Sequence, residues 1–321
     1  MINPAPILVF GHNRPNLLHQ CLMALGKSNL ACKSIVNIFI DGPKNGQDKL
    51  KINEISLLQK NDYGFSKMNF FFSKVNQGLA DSIINGIDSI MKTHESVIVI
   101  EDDLIVSEKF LLFCNDALIK FKNNEVVSSI IGYTPDFGEM LNEPYFLNRA
   151  DCWGWATWRS RWELLERDAE VLVEKIERLN LEYDLDFYGT FPYLEMLKLE
   201  ANGKIDSWAI RWQASMLINK KLSLYSPKSL ILNLGFEGDG THGTKTSAHD
   251  TILTQERVLI PEDLQPIESK LATELWMSHY REITRRSRFH VIYRIRLKIS
   301  TINLLMKDIV AICLKRFKRD K

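Results

Sequence analysis

Val97-Ile98-Val99-Ile100-Glu101-Asp102-Asp103 decides how this chain folds and where its chemistry lies. Four β-branched apolar residues in succession read as a buried strand, and three acids follow at once where that strand ends. In an open α/β sheet, ligands sit at the carboxyl ends of strands, so acids placed there face a cleft rather than bulk solvent. Three adjacent carboxylates repel one another, and something cationic should offset that repulsion. A hard divalent ion such as Mg²⁺ or Mn²⁺ prefers oxygen ligands of this kind and completes its shell with phosphate oxygens and water. The plain alternative is a solvated acidic turn that caps the following helix.

Working outward, the first half of the chain alternates short apolar runs with amphipathic stretches, the pattern of a parallel sheet covered by helices. Strands are expected at residues 7–10, 35–40, 68–73, 97–100 and 126–131. Leu17, Leu18, Cys21, Leu22 and Leu25 recur at helical spacing, with Asn13 and Pro15 as start signals. A second helix reads from Leu79, Ile83, Ile87, Ile90 and Met91, and a third from Ser107 as N-cap followed by Phe110, Leu111, Cys114, Leu118 and Phe121. After about residue 132 the alternation stops. A Trp-rich, loop-rich region follows, with helices expected around 168–179, 192–201 and 208–219; Pro261 and Pro266 then precede a helical tail.

Composition narrows the class. With 321 residues, 45% hydrophobic and 25% charged, the chain is an ordinary folded protein rather than a disordered, collagenous or disulfide-stapled one. Its net charge of +1 hides an asymmetry: residues 281–321 carry 13 Lys and Arg against 3 Asp and Glu, which leaves 28 against 37 in residues 1–280. Cys21, Cys32, Cys114, Cys152 and Cys313 are an odd, widely spaced set that suggests neither a disulfide framework nor a zinc site, so a reducing compartment is expected. The apolar run at 7–10 is too short for a signal peptide, and no stretch approaches the about 18 uncharged apolar residues of a membrane span. Neither a P-loop nor a G-x-G-x-x-G follows the first strand, which argues against an ordinary ATPase or a dinucleotide-dependent dehydrogenase.

The first strand ends Val9-Phe10-Gly11-His12-Asn13-Arg14-Pro15, the second ends Ile40-Asp41-Gly42, Asn76-Gln77-Gly78-Leu79 opens the next helix, and Glu101-Asp102-Asp103 closes the fourth strand. In that order and strand context the set resembles GT-A fold glycosyltransferases over residues 5–245, with a likeness to the inverting N-acetylglucosaminyltransferase I type and to bacterial family-two-like sugar transferases. The resemblance implies an α/β fold: a mixed, mostly parallel nucleotide-sugar-binding sheet flanked by helices, with a C-terminal helical tail. Residues 1–260 would be the transferase domain (1–132 the nucleotide-binding half, 133–260 the acceptor half) and 261–321 a basic amphipathic tail. It further implies a nucleotide-diphosphate sugar as donor, a UDP-sugar first, with Phe10, His12, Asn13, Arg14 and Asp41 about the base and ribose. Asn76, Gly78 and Leu79 would contact the donor, and Glu101 and Asp102 the ribose and donor sugar. Asp103 would bind Mn²⁺ or Mg²⁺, joined by His242 from a loop over the donor.

In the second half, Asp151-Cys152-Trp153-Gly154-Trp155-Ala156-Thr157-Trp158 resembles the family's acceptor-side Gly-Trp stretch, and six of the seven Trp lie between 153 and 212. Indole faces suit sugar rings, although Trp158, Trp162 and Trp212 read better as core. Asp206-Ser207-Trp208 resembles an Asp-Asp-Trp segment with Ser207 in place of one acid; Asp206 is the expected catalytic base, with capping of the next helix as its structural alternative. The expected activity is inverting transfer of a hexosyl or N-acetylhexosaminyl group to a hydroxyl of a glycan or lipid-linked acceptor in bacterial surface polysaccharide synthesis. The tail, with Arg281, Arg285, Arg286, Arg288, Arg294, Arg296 and Lys298 among apolar residues, fits a peripheral contact with an anionic membrane at the cytoplasmic face, ahead of a helix packed on the acidic body and of a nucleic-acid patch. A sugar-nucleotide nucleotidyltransferase and a non-catalytic carbohydrate-binding or membrane scaffold protein are the rivals.

Overall fold

A computed structural model describes residues 4–235 and 251–286. The first half builds as alternating units: β1 (Ile7–Gly11), α1 (Pro15–Gly26), β2 (Ile35–Ile40), α2 (Gly46–Leu57), β3 (Lys67–Phe72), α3 (Leu79–Met91) and β4 (Ser96–Glu101). After it come β5 (Leu104–Val106), α4 (Phe110–Lys120), β6 (Val127–Ile131), β7 (Tyr145–Leu147), β8 (Trp155–Trp158) and the short α5 (Arg159–Trp162). The chain continues through α6 (Ala169–Leu179), α7 (Glu182–Leu185), α8 (Tyr193–Ala201), α9 (Trp208–Ile218), β9 (Leu222–Tyr225), β10 (Ile231–Asn233) and α10 (Lys270–Arg286).

Eight strands form one mixed sheet in the order β3-β2-β1-β4-β8-β6-β9-β7. The first four are mutually parallel, β8 runs antiparallel to both β4 and β6, and β7 runs antiparallel to β9. The expected α/β class, a mostly parallel sheet flanked by helices, is therefore the architecture found. Ile7–Phe10 of β1 and Val97–Ile100 of β4 are buried throughout, as befits central strands covered on both faces. At the edge, β3 leaves Phe71 and Phe72 exposed, while Phe10, Phe39 and Phe71 lie in register and stack in series at 5.1 and 4.8 Å.

Local signals account for some helix boundaries. Pro15 opens α1 at its first turn, where a missing N–H costs nothing. Asp168 caps α6 by accepting the Glu170 and Val171 N–H groups, and Asn180 ends it in the left-handed region. Two readings need correction. Ser107 does not open α4; its hydroxyl accepts the Lys109 N–H in a turn, and the helix begins at Phe110. Asn13 is not a cap either, since its side chain reaches across to Asp48.

The region expected to be loop-rich contains β7, β8 and β9 of the main sheet, and β10, which pairs with β5 in a separate two-stranded ribbon. Helices α6 to α9 bury Leu172, Ile176, Leu185, Leu197, Ala214 and Leu217 in a core of their own. The described part of the basic tail is α10: Ala272, Trp276 and Tyr280 are buried, while Arg281 and Arg285 are exposed. Arg288, Arg294, Arg296 and Lys298 lie outside the described residues.

Candidate active site

From β1 the chain steps outward to β2 and β3, then returns to place β4 on the other side of β1. This reversal parts the loops that leave β1 and β4, at the place where open α/β sheets bind their ligands. Residues 11–14 and 101–103 flank it. Arg14, at the start of α1, spreads its guanidinium over the acids: Nε donates to Asp102 Oδ2 at 3.3 Å, Nη2 to Asp102 Oδ1, and Nη1 to Asp103 Oδ2 at 2.9 Å. Asp102 is 1% exposed, Asp103 14% and Arg14 20% at the side chain. The backbone N–H of Leu234, beyond β10, donates to the Asp103 carbonyl at 2.9 Å and brings the end of that strand to the same place.

Asp41, at the end of β2, organises the adjoining wall. Its Oδ1 accepts the N–H groups of Gly42 (2.7 Å) and Gln77 (2.9 Å), and its Oδ2 accepts Asn76 Nδ2 (2.7 Å) and the Gly78 N–H (3.1 Å). Four accepted bonds are about the capacity of a carboxylate, so Asp41 fastens the 76–78 segment rather than holding a lone pair in reserve. Asn76 also donates to the Gly42 carbonyl, 3.0 Å from His12 Nε2. Asn13 donates to Asp48 Oδ1 at 2.7 Å, and the Lys44 N–H to Oδ2, which ties the β1 loop to the start of α2.

Asp206 comes to this wall from the far half of the chain. Its Oδ2 accepts the Ala80 N–H at 3.3 Å, so it caps α3 and not the helix that follows it in sequence. Gly78, at φ 86°, lies against it; a Cβ there would fall 2.8 Å from the same oxygen. Asp206 and Leu79 are both exposed beside the loop.

The electrostatics follow from burial. Burial works against the Arg14 charge, but Asp102 and Asp103 outweigh it and raise the guanidinium pKa. Glu101 is pushed up to about 8 by burial and by the charges of Asp103 and Asp102, so it keeps its proton at neutral pH. The Cys152 thiol is raised by burial and is no nucleophile at neutral pH. At the expected metal ligand Asp103, the partner found is the Arg14 guanidinium, on one of the two carboxylate oxygens. Asp102 has each carboxylate oxygen bonded to Arg14, which also reaches Asp103. Among the described residues no group of three His, Cys, Asp or Glu side chains is placed to hold a metal, and His242 lies outside them.

Two expectations change. The Phe10 ring is 2% exposed and stacked on Phe39, so it is core; its carbonyl instead accepts the Asp102 N–H. Trp155 and Trp208 are core as well, not sugar-facing: they pack with Trp162 and Trp212, ring centroids 5.3 to 6.4 Å apart, and Trp158 is buried beside them, the core placement expected for Trp158, Trp162 and Trp212. Trp153 alone of the seven is half-buried, edge-on to Tyr133 at 4.7 Å. Nearby, buried Arg149 lies 4.6 Å from the Trp276 ring centroid and 4.9 Å from that of Tyr280, donates to Tyr225 and Tyr193, and pairs with Asp151. Sequence reading passed over Arg149 and Asp48. Asn45 three residues before Asp48 was a legible capping signal, confirmed by the Asp48 N–H bond to Asn45 Oδ1. Arg149 offered no local signal.

No protein-family model matches the chain, and no curated protein matches it in sequence. Among solved structures it is similar to the mannosyltransferase PcManGT from Pyrobaculum calidifontis, in complex with GDP-Man and Mn²⁺, at 14% identity and TM-score 0.35 over 52% of this chain and 47% of that one. It is also similar to S. aureus TarS residues 1–349, at 10% identity and TM-score 0.40 over 72% and 61%. A UDP-glucose pyrophosphorylase complexed with UDP-glucose matches at 12% identity and TM-score 0.32 over 50% and 78%. The match thus spans about half of PcManGT and about three-fifths of the TarS chain. The fold itself is read from the strand order above.

Proposed function

We propose that the chain is a nucleotide-sugar-dependent glycosyltransferase that moves a hexosyl or N-acetylhexosaminyl group, with inversion, to a hydroxyl of a glycan or lipid-linked acceptor. One observation carries this reading. The loops leaving β1, β2 and β4 and the segment opening α3 are locked into one polar wall at the sheet's switch point, by Asp41 on one side and Arg14 on the other.

On this reading the base and ribose of the donor lie along 11–14, 41 and 76–79, with His12 and Asn13 held in place by Gly42 and Asp48. The diphosphate lies toward Arg14. Asp206 takes the proton of the acceptor hydroxyl as its oxygen bonds the anomeric carbon from the face opposite the diphosphate. The glycosidic C–O bond breaks as that bond forms, and its electron pair leaves on the phosphate oxygen. Fixed positive charge there stabilises the departing group in proportion to how well it is preorganised. No covalent sugar-enzyme intermediate is needed. Trp153 is the indole best placed by its exposure to cover an acceptor ring.

No described helix is long and apolar enough to cross a membrane. Exposed Arg281 and Arg285 on α10 support a peripheral, cytoplasmic-face contact with anionic lipid, which suits a lipid-linked acceptor. A thermal-shift screen of UDP, GDP, dTDP and CMP tests the donor assignment, and NMR of the product's anomeric proton tests inversion. Stabilisation by none of the four nucleotides would remove the reading.

A further inference from the structure

We propose that Arg14 is the resident counter-cation of this site, and that nucleoside diphosphate binding and turnover need no divalent metal. The proposal rests on the transferase reading and concerns how that same site meets the donor's charge. The adjacent charges of Asp102 and Asp103 call for a cation; the fold supplies one from its own first loop.

Three features fit Arg14 to the role. Its guanidinium is braced on two carboxylates from β4, by two N–H groups on Asp102 and one on Asp103. That leaves two of the five N–H groups uncommitted among the described residues, on a side chain still one-fifth exposed. It is also the residue that precedes the 12-residue α1, where the N-terminal dipole adds to its field. A planar guanidinium donates in pairs to phosphate oxygens, so a braced Arg14 is preorganised for a diphosphate.

The same bracing works against a divalent ion. Such an ion wants a near-complete shell of oxygens, and at Asp103 it would meet a fixed positive charge on one of its two oxygens. At Asp102 an ion would meet the same guanidinium on both oxygens, on a side chain that is 1% exposed.

The test is calorimetric titration of the full chain, stripped with EDTA, with UDP and with GDP, repeated in Mn²⁺ and in Mg²⁺. At least one nucleotide is expected to bind the stripped protein, with less than about a tenfold change in Kd on adding metal. Electron paramagnetic resonance is expected to show no Mn²⁺ retained by the wild-type protein. Arg14→Ala should weaken nucleotide binding by about tenfold or more and, by uncovering two carboxylates, create a Mn²⁺ signal the wild type lacks. If Arg14→Ala does not fold, Arg14→Lys serves: its charge persists without the planar fork, and weaker nucleotide binding is again expected. Nucleotide binding that appears only with Mn²⁺ or Mg²⁺ would overturn the proposal and leave the transferase reading standing. Absence of binding in every condition would overturn both.

Discussion

Replacing Asp41 by Asn changes little in shape and much in hydrogen bonding. Each carboxylate oxygen accepts two N–H groups: Gly42 and Gln77 on one, Gly78 and the Asn76 amide on the other. Whichever way the new amide turns, its NH₂ faces two donors. Asn76 cannot turn its own amide to compensate without losing its bond to the Gly42 carbonyl. Two bonds to a charged acceptor are worth about 1.5–3 kcal/mol each, so a rigid wall would lose about 3–6 kcal/mol. The 76–79 loop borders solvent and can let water in, so the expected loss is about 3 kcal/mol. Urea unfolding should show it as a lower midpoint with an unchanged slope, and UDP or GDP binding should weaken in parallel. An Asp41→Asn variant within about 0.5 kcal/mol of wild type, with unaltered nucleotide affinity, would refute the view that this carboxylate organises the wall.

Gly42→Ala should cost about 1–3 kcal/mol in the same assay, because its Cβ would collide with the Val75 carbonyl across the loop. Asp206→Asn keeps an acceptor for the Ala80 N–H, so donor affinity and stability should hold while turnover falls about 10²-fold. Trp212→Ala should destabilise by about 3–5 kcal/mol, whereas Trp153→Ala should spare stability and raise the acceptor KM. Asp48 is held below the ordinary carboxylate range by the Asn13 amide and, against burial, the Lys44 N–H. Its stabilisation is therefore full above the ordinary carboxylate range and lost as pH falls through its lowered value. Asp48→Asn should flatten that part of the acid-unfolding curve, and an unchanged curve would discount the assignment.

Strands β1, β2 and β4 and helices α6, α8 and α9 were legible in the sequence because each has its signal within its own span: an unbroken apolar run, apolar spacing, or, in α6, a cap as well. Strands β5, β7, β8 and β10 have three or four residues each, and their identity as strands comes from partners far along the chain; β8 is a strand because β4 and β6 flank it. The tryptophans between 155 and 212 show the same limit, since composition cannot tell an indole that faces a ligand from one stacked on three others. At the site, the position of the acids was set locally: a buried strand ends, and Glu101, Asp102 and Asp103 follow. What neutralises them was not. Arg14 stands 88 residues before Asp102, and only the return of the chain that sets β4 beside β1 brings the guanidinium to the carboxylates. Asp206 likewise reaches the α3 terminus across 126 residues. Charge and hydrophobic pattern act over a few neighbouring residues and are written in the sequence, whereas the pairing of opposite charges depends on which strands the sheet makes adjacent.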